Sequence, residues 1–173
     1  AERHTLFFSA TTTPEIGNLI SKFCKNPVTI SVKTRDTSKS IDQDVIRVSR
    51  AEDKTNKLAE LLRSDGFSKV LVFGKTKHGV EKLAKTLTAM GLVAESIHGN
   101  KNFNKRQLAL GQFKGNKVKI LVATDVAARG LDIADVSHVI NYDLPATYED
   151  YIHRIGRTGR GGKKGKALTF IQG

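Results

Sequence analysis

Two short stretches of this chain, VLVF at residues 70–73 and ILVA at 120–123, are apolar at every position. A strand with one wet face alternates apolar and polar side chains, so an unbroken apolar run predicts a strand covered on both faces. Between the runs, apolar residues recur at helical spacing, at Val80, Leu83, Ala84 and Leu87. This alternation predicts an α/β fold with a mostly parallel sheet and helices on both faces.

Other segments continue the pattern. Apolar or β-branched runs predict strands at residues 6–8, 28–32, 44–48, 93–97, 136–142 and 167–171. Thr13 before Pro14 is typical of a helix start, and so is Thr147 with Asp150 three residues on. In such sheets ligands bind at the carboxyl ends of the strands. The loops that follow these ends are therefore the candidate functional segments.

Charge narrows the choice of partner. The 173 residues include 29 Lys and Arg against 17 Asp and Glu, a formal net charge of +12. Such an excess favours a polyanion, with nucleic acid first and an anionic membrane surface second. Aromatic residues make up 6% and Trp is absent, which argues against single-strand binding by stacked aromatics alone.

The single cysteine, Cys24, can neither form an internal disulfide nor build a zinc site, which fits a reducing compartment. No apolar run reaches membrane-spanning length and no leader pattern precedes the first strand. We therefore expect a soluble, cytoplasmic, monomeric protein without a membrane partner. Because the chain starts abruptly near a predicted strand, we also expect it to be a fragment.

One motif is misleading. Gly74-Lys75-Thr76 lies between a strand and a helix and resembles the end of a phosphate-binding P-loop. The full motif needs a glycine five residues before Gly74, and Lys69 stands there. The sequence therefore predicts no triphosphate cradle in this chain.

Two strand-end motifs are candidate phosphate contacts. After the ILVA strand come Thr124, Arg129 and Gly130, at a strand-to-helix junction where free backbone amides can hold an anion. After the strand at 93–97 come His98 and Gly99, with Arg106 in the next helix. A plain surface helix and a structural histidine are the alternatives, and each motif alone leaves them open.

The segment HRIGRTGR, residues 153–160, concentrates arginines in a glycine-shaped turn. Arginine grips phosphate oxygens in a planar, two-pronged manner. Gly156 and Gly159 would direct Arg157 and Arg160 to one point beyond the sheet. Nonspecific contact with a phosphate backbone is the alternative, but lysine would serve it equally well, so the choice of arginine favours a defined target.

Four pieces in this order resemble the DEAD-box family of ATP-dependent RNA helicases: SAT at 9–11, VLVFGKT at 70–76, VATDVAARGLDI at 122–133 and HRIGRTGR at 153–160. The resemblance covers the whole chain and implies a RecA-like three-layer fold. It implies that residues 1–34 end a first RecA-like domain, 35–43 form a linker and 44–173 form the second domain. The HGNK sequence after residue 97 is similar to the bacterial RhlE-like branch.

The resemblance also implies roles for individual residues. Arg157 and Arg160 match arginine fingers that reach the γ-phosphate of ATP, and Asp132 matches the residue that holds the ribose. The positions implied for contact between the two domains are Ser9, Thr11, His153 and Arg154. Contact with the RNA backbone is implied for Thr76, Gly99, Arg106, Thr124, Arg129 and Gly130.

Two departures and one absence qualify the resemblance. Phe103 stands where the family usually has Gln, and Asn100 where it often has Asp. No P-loop and no DEAD tetrapeptide are present, so ATP and Mg²⁺ would be bound mainly by the first domain. We expect the fragment alone to be inactive. A non-catalytic RNA-binding module is the main alternative and a DNA-translocating relative is the other.

Overall fold

The computed structural model describes residues 3–9, 13–30, 40–50, 52–131, 133, 136–160 and 163–173. The chain divides into two compact units, Ala1–Arg35 and Asp36–Gly173. The helices are α1 (Pro14–Phe23), α2 (Asp53–Arg63), α3 (Lys77–Ala89), α4 (Phe103–Lys114), α5 (Asp125–Ala128) and α6 (Tyr148–Ile155). The strands are β1 (Ile41–Val48), β2 (Val70–Phe73), β3 (Ala94–Ile97), β4 (Ile120–Ala123), β5 (His138–Asn141) and β6 (Gly165–Gln172).

All six strands belong to one parallel sheet in the order β1-β6-β5-β2-β4-β3. The fully apolar strands β2 and β4 are neighbours in the middle of the sheet, and every residue of both is buried. Because the strands are parallel, the loops after Phe73, Ile97, Ala123 and Asn141 all leave from the same edge.

Alternate residues of the central strands enter two separate cores. Val70 and Val72 pack in the core formed with α2 and α3. Leu71 and Phe73 pack in the other core, with α4 and α5. Helices therefore cover both faces of the sheet, which confirms the predicted three-layer α/β architecture.

In the second unit the predicted strand boundaries need adjustment. The first strand begins at Ile41, three residues before the predicted start, so residues 41–43 belong to the sheet and not to the linker. Asp42 and Gln43 hid this strand in the sequence. Both side chains are exposed on β1, an edge strand that pairs only with β6, from Gly165 onward. The strand predicted at 136–142 is shorter, with only Val136 forming an isolated bridge to Thr158 ahead of it.

In the first unit, α1 begins as predicted, with Thr13 accepting a hydrogen bond from the amide of Ile16. The predicted strand at residues 6–8 was wrong, and the described part of the 28–32 segment, residues 28–30, is not a strand. Phe8 is 90% exposed. A β-branched or aromatic run forms a strand only where a neighbour offers backbone partners, and none is described within this unit. The assignment of residues 1–34 to the end of a first domain stays a prediction.

None of the helices in the described ranges is both long enough and apolar enough to cross a membrane.

Candidate functional site

A buried arginine organises the edge where the strands end. Arg154, on α6, is 2% exposed and forms a two-pronged ion pair with Asp125, with Nε–Oδ1 at 2.6 Å and Nη2–Oδ2 at 2.8 Å. Its Nη1 donates to Asn141 Oδ1 at 3.2 Å and to the backbone oxygen of Asp143 at 2.6 Å. The guanidinium also lies 5.0 Å from the centre of the Phe73 ring. One side chain thus joins the ends of β2, β4 and β5 to α6.

This location changes the interpretation of Arg154. The sequence grouped it with residues that contact a neighbouring domain, but its donors are used inside the second unit. A buried charge needs such partners, because leaving it unpaired costs several kcal/mol. Its role is therefore to position α6 and the arginine turn that follows. Sequence reasoning missed Asp125, which follows the buried strand β4 closely, and Asn141, which is the buried last residue of β5.

The structure supports the rejection of a P-loop at Gly74. The amide of Gly74 donates to Ala123 O at 3.0 Å, and the amide of Lys75 donates to Asp143 Oδ2 at 2.8 Å. These amides cannot cradle a phosphate while they make those bonds, and the Asp143 carboxylate repels one. Thr76 instead caps α3 by accepting from the amide of Gly79 at 3.0 Å.

Arg157 and Arg160 lie in the turn directly after α6. Arg157 is half-buried, and its Nη1 donates to the backbone oxygen of Leu131 at 3.0 Å. Arg160 is exposed, and its Nε donates to Gly156 O at 2.7 Å. Burial and the charge of Arg160 lower the pKa of Arg157 from its usual value. A bound anion would relieve the repulsion that lowers this pKa.

Gly159 gives the turn its shape. Its φ is +68°, in the left-handed region that side chains disfavour. A Cβ there would also lie 2.9 Å from Ile41 Cγ1 and 3.2 Å from Ser40 Oγ. The turn between Arg157 and Arg160 therefore packs against the start of β1 in a form that requires glycine.

Replacing this glycine gives a first prediction. Gly159→Ala should lower the free energy of unfolding by about 1–3 kcal/mol, because the added methyl group is both strained and crowded. Urea unfolding followed by circular dichroism measures it. Gly111→Ala is the matched control, since a Cβ at this position in the interior of α4 would meet nothing within 4 Å. Because alanine favours the helix over glycine, this variant should raise the free energy of unfolding by up to about 1 kcal/mol. Equal stability of Gly159→Ala and the parent would contradict the packing described.

A shallow hollow lies beside Arg157 at the strand ends. It is lined by Phe73, Asp125, Ala128, Arg129, Asp150, His153, Arg154 and Arg157. Arg129 pairs with Asp150, with Nη2–Oδ1 at 2.9 Å, and the hydrogen bond from Thr147 and then Arg129 lower the pKa of Asp150. The structure thus brings His153, Arg129 and Arg157 together around one depression.

The other predicted phosphate contacts lie along the same edge. Thr124 occupies the N-cap position of the short α5 after β4 without a side-chain capping hydrogen bond, and Gly130, with φ +74°, follows that helix. Gly99 is exposed after β3, where a Cβ would meet nothing within 4 Å. Arg106 lies in the first turn of α4, and in the described part of the chain its guanidinium has no hydrogen-bond or acidic partner. Its charge is therefore available to an anion.

A partly buried polar cluster flanks the Gly99 loop. Glu81 accepts hydrogen bonds from Ser96 and from His98 Nε2, the latter at 3.2 Å, and lies 3.7 Å from Lys101 Nζ. His98 Nε2 donates to this carboxylate, and His98 Nδ1 has no hydrogen-bond partner among the described residues. His98 is thus a structural residue, the alternative that the sequence left open. The hydrogen bond from Ser96, followed by those from His98 and the charge of Lys101, lowers the pKa of Glu81 to about 2.

The low pKa of Glu81 gives a second prediction. Glu81→Gln should lower the free energy of unfolding at pH 7 by about 1 kcal/mol, because a charged hydrogen-bond acceptor becomes neutral. The melting temperature should fall by about 3 °C. The folded pKa lies below the ordinary value of 4.5, so this stabilisation is complete above pH 4.5 and is lost as the pH falls to about 2. The melting temperatures of Glu81→Gln and the parent, measured from pH 7 down to pH 2, should therefore converge as the pH falls.

Glu60→Gln is the control, because Glu60 is exposed and pairs only with Lys57 at 2.9 Å in the described structure. Its melting temperature should match the parent's throughout. A constant gap between Glu81→Gln and the parent over the same range would contradict the assigned cluster.

Some predicted site residues lie outside what the structure describes. Asp132 and Thr11 are outside the described residues, and Ser9 is exposed in the first unit. Among the described residues, no group of three or more His, Cys, Asp or Glu could hold a metal ion.

The parallel sheet and its arginine-bearing strand ends define a RecA-like α/β domain of the helicase type. Known proteins support this class. The helicase conserved C-terminal domain matches residues 53–162. ATP-dependent RNA helicase CshA of Listeria monocytogenes is 47% identical over 173 residues, covering 99% of this chain and 33% of the relative. DEAD-box ATP-dependent RNA helicase 20 of Arabidopsis thaliana is 46% identical over 174 residues, covering 98% and 34%.

Solved structures agree. The DEAD-box protein SrmB of E. coli, bound to the regulator of ribonuclease activity A, superposes with a TM-score of 0.73 at 40% identity, covering 76% of this chain and 78% of that one. S. cerevisiae Dbp5, bound to RNA and ADP BeF3, gives 0.81 at 32% identity, covering 96% and 44%. This chain belongs to the helicase conserved C-terminal domain family, and it is the C-terminal domain of a DEAD-box helicase.

The RecA-like fold and the DEAD-box family are thus confirmed, and the RhlE-like branch stays a prediction. The chain spans about a third of the length of the curated relatives it matches.

Proposed function

We propose that this chain is the C-terminal half of an ATP-dependent RNA helicase and completes an ATP site that another domain begins. The observation that carries the proposal is the pair Arg157 and Arg160, held in a glycine turn that the buried Arg154 anchors. The amides of Gly74 and Lys75, the best candidate for a phosphate cradle, are occupied. Arginines in a domain that lacks its own phosphate-binding loop suit a domain that contacts a nucleotide bound by another domain.

In this function, ATP is the substrate and Arg157 and Arg160 neutralise charge on its γ-phosphate during transfer. Asp132 would hold the ribose. Mg²⁺ would be bound mainly by the N-terminal RecA-like domain, through one or two carboxylates and the phosphates of ATP. His153 lines the hollow beside Arg157, and with Ser9 and Thr11 it would dock the two domains.

RNA would bind along the strand-end edge through its sugar-phosphate backbone. The contacts would come from Thr76, Gly99, Arg106, Thr124, Arg129 and Gly130. Backbone contacts carry little sequence information, so specificity should be low. Arg129 would exchange its partner Asp150 for a phosphate, since this exposed ion pair is weak.

The two sites suggest how hydrolysis and RNA remodelling are coupled. Leu131 follows Gly130, a proposed RNA contact, and its carbonyl oxygen holds Arg157. RNA at this edge and ATP in the cleft would both favour the closed pair of domains, and closure would strain and locally unpair a short duplex. Hydrolysis removes the γ-phosphate that the arginines grip, so the cleft reopens. We also propose that this protein is cytoplasmic and monomeric. The single Cys24 of this chain fits the reducing compartment.

Strand displacement tests the proposal. The full-length protein, carrying this chain behind its N-terminal domain, should separate a ten-base-pair RNA duplex with a single-stranded extension only when ATP and Mg²⁺ are present. A non-catalytic RNA-binding module would bind the same duplex without displacing a strand, with or without ATP. That outcome, with RNA binding intact, would contradict the helicase function.

A further inference from the structure

Phe103 is an aromatic residue that the domain core does not use. It is the first residue of α4 and is 71% exposed, whereas Ala109 and Phe113 fix the helix to the core. Single exposed apolar residues are common and need no explanation on their own. Phe103 differs because of what lies next to it.

Phe103 forms one wall of a hollow of about 100 Å³ on the second unit. The hollow is lined by Ile97, Phe103, Arg106, Gln107, Leu110 and Leu131. Its walls are mainly apolar, with one guanidinium and one side-chain amide at hand. A mostly apolar site with a few polar groups is the usual composition of a site for a small, flat organic group.

The charges around the hollow select its occupant. Arg106 lines it without an acidic or hydrogen-bonding partner in the described ranges. An apolar peptide would leave this charge unanswered. A nucleotide answers it with a phosphate and offers the apolar wall an aromatic base in the same molecule.

The hollow is also continuous with the proposed RNA edge. Ile97 is the last residue of β3, directly before the His98–Gly99 loop, and Leu131 follows Gly130. RNA lying across Gly99, Arg106 and Gly130 would pass the hollow, so a base turned toward the protein would meet Phe103.

We propose that this hollow is a stacking site for one unpaired RNA base, with Phe103 as the platform and Arg106 holding the adjacent phosphate. The proposal rests on the proposed function. Every base has a π face, so the site adds affinity without reading a sequence. It should nevertheless favour adenine over uracil, because the larger ring system covers more of the phenyl ring.

Fluorescence anisotropy with the full chain tests the site, using three labelled ten-residue probes: oligoadenylate, oligouridylate and an abasic ribose-phosphate strand. Phe103→Ala should weaken oligoadenylate binding about tenfold, oligouridylate binding less, and abasic-strand binding not at all. Phe103→Tyr should bind oligoadenylate as tightly as the parent, because it keeps an aromatic ring. Leu108→Ala is the matched control, because Leu108 is 62% exposed on the same helix and does not line the hollow.

Arg106→Gln separates this proposal from the function beneath it. It should weaken all three probes, since it removes a phosphate contact, and it should lower the steepness of the salt dependence. If Phe103→Ala weakens the abasic strand as much as oligoadenylate, or weakens neither, the stacking site is wrong while RNA binding stands. If the parent chain binds no probe even at low salt, the proposed RNA contacts fail as well.

Discussion

Arg154→Ala should lower the free energy of unfolding by about 3–5 kcal/mol, and the melting temperature by roughly 10 °C or more. The substitution removes a two-pronged ion pair and two further hydrogen bonds at a site that is 2% exposed. It leaves the Asp125 carboxylate, Asn141 Oδ1 and a backbone oxygen without their donor. Thermal unfolding followed by circular dichroism measures the loss.

Two further variants show whether the loss belongs to the geometry. Arg154→Lys keeps the charge but has no planar fork, so it should recover only part of the stability. Arg63→Ala is the control, because Arg63 is exposed and its hydrogen bond to Met90 O, at 2.7 Å, lies on the surface. It should cost less than about 1 kcal/mol. Arg154→Ala within 1 kcal/mol of the parent would contradict the organising role of this residue.

The largest effect on activity is expected at the arginine turn. In the full-length protein, Arg157→Ala and Arg160→Ala should each lower the rate of ATP hydrolysis by about 10³-fold or more at saturating ATP and RNA. Each guanidinium would act on charge that develops at the transferring phosphate, so its loss should reduce the rate constant more than substrate affinity. Single-turnover hydrolysis of radiolabelled ATP measures the rate constant directly.

The contacts of the two arginines within the domain determine what their substitution should do to stability. Arg157 donates to Leu131 O, and Arg160 donates to Gly156 O from an exposed position. Neither bond holds the core, so both variants should keep the parent's melting temperature within a few degrees. Arg106→Gln should behave in the opposite way, with weaker RNA affinity but near-normal hydrolysis once RNA is saturating. Near-normal hydrolysis by both Arg157→Ala and Arg160→Ala would contradict the finger assignment.

Much of the fold could be predicted because burial on both faces leaves a plain signature. β2 and β4 are apolar at every position because each lies between two other strands and between two helix layers, one on each face of the sheet. Helix starts were equally readable, because Thr13 and Thr147 cap α1 and α6 through local hydrogen bonds.

What depends on distant partners could not be read from local patterns. The start of β1 at Ile41 is set by its pairing with β6, which lies more than 100 residues away in the chain. Residues 6–8 have a strand-like composition but no described neighbour to pair with in their unit. The burial of Arg154 follows from Asp125, 29 residues earlier, and no spacing rule links the two.

The same reasoning applies to the candidate site. The motifs predicted Arg157, Arg160, Arg129 and Gly99 as site residues, and the structure places Arg157 and Arg129 around one hollow. Their roles stay predictions. The departure of Phe103 from the family pattern is visible in the sequence, but only the structure shows that Phe103 and Arg106 line the same hollow. Likewise, the part of Glu81 in supporting the Gly99 loop depends on Ser96 and Lys101 meeting it in space.

In the proposed function, this domain makes ATP hydrolysis depend on RNA. The most direct test is the steady-state hydrolysis rate of the full-length protein, at saturating ATP and Mg²⁺, with and without single-stranded RNA. We predict that RNA raises the rate at least tenfold and that Arg157→Ala abolishes the increase while RNA still binds. An unchanged hydrolysis rate at RNA concentrations where anisotropy shows full binding would contradict the account.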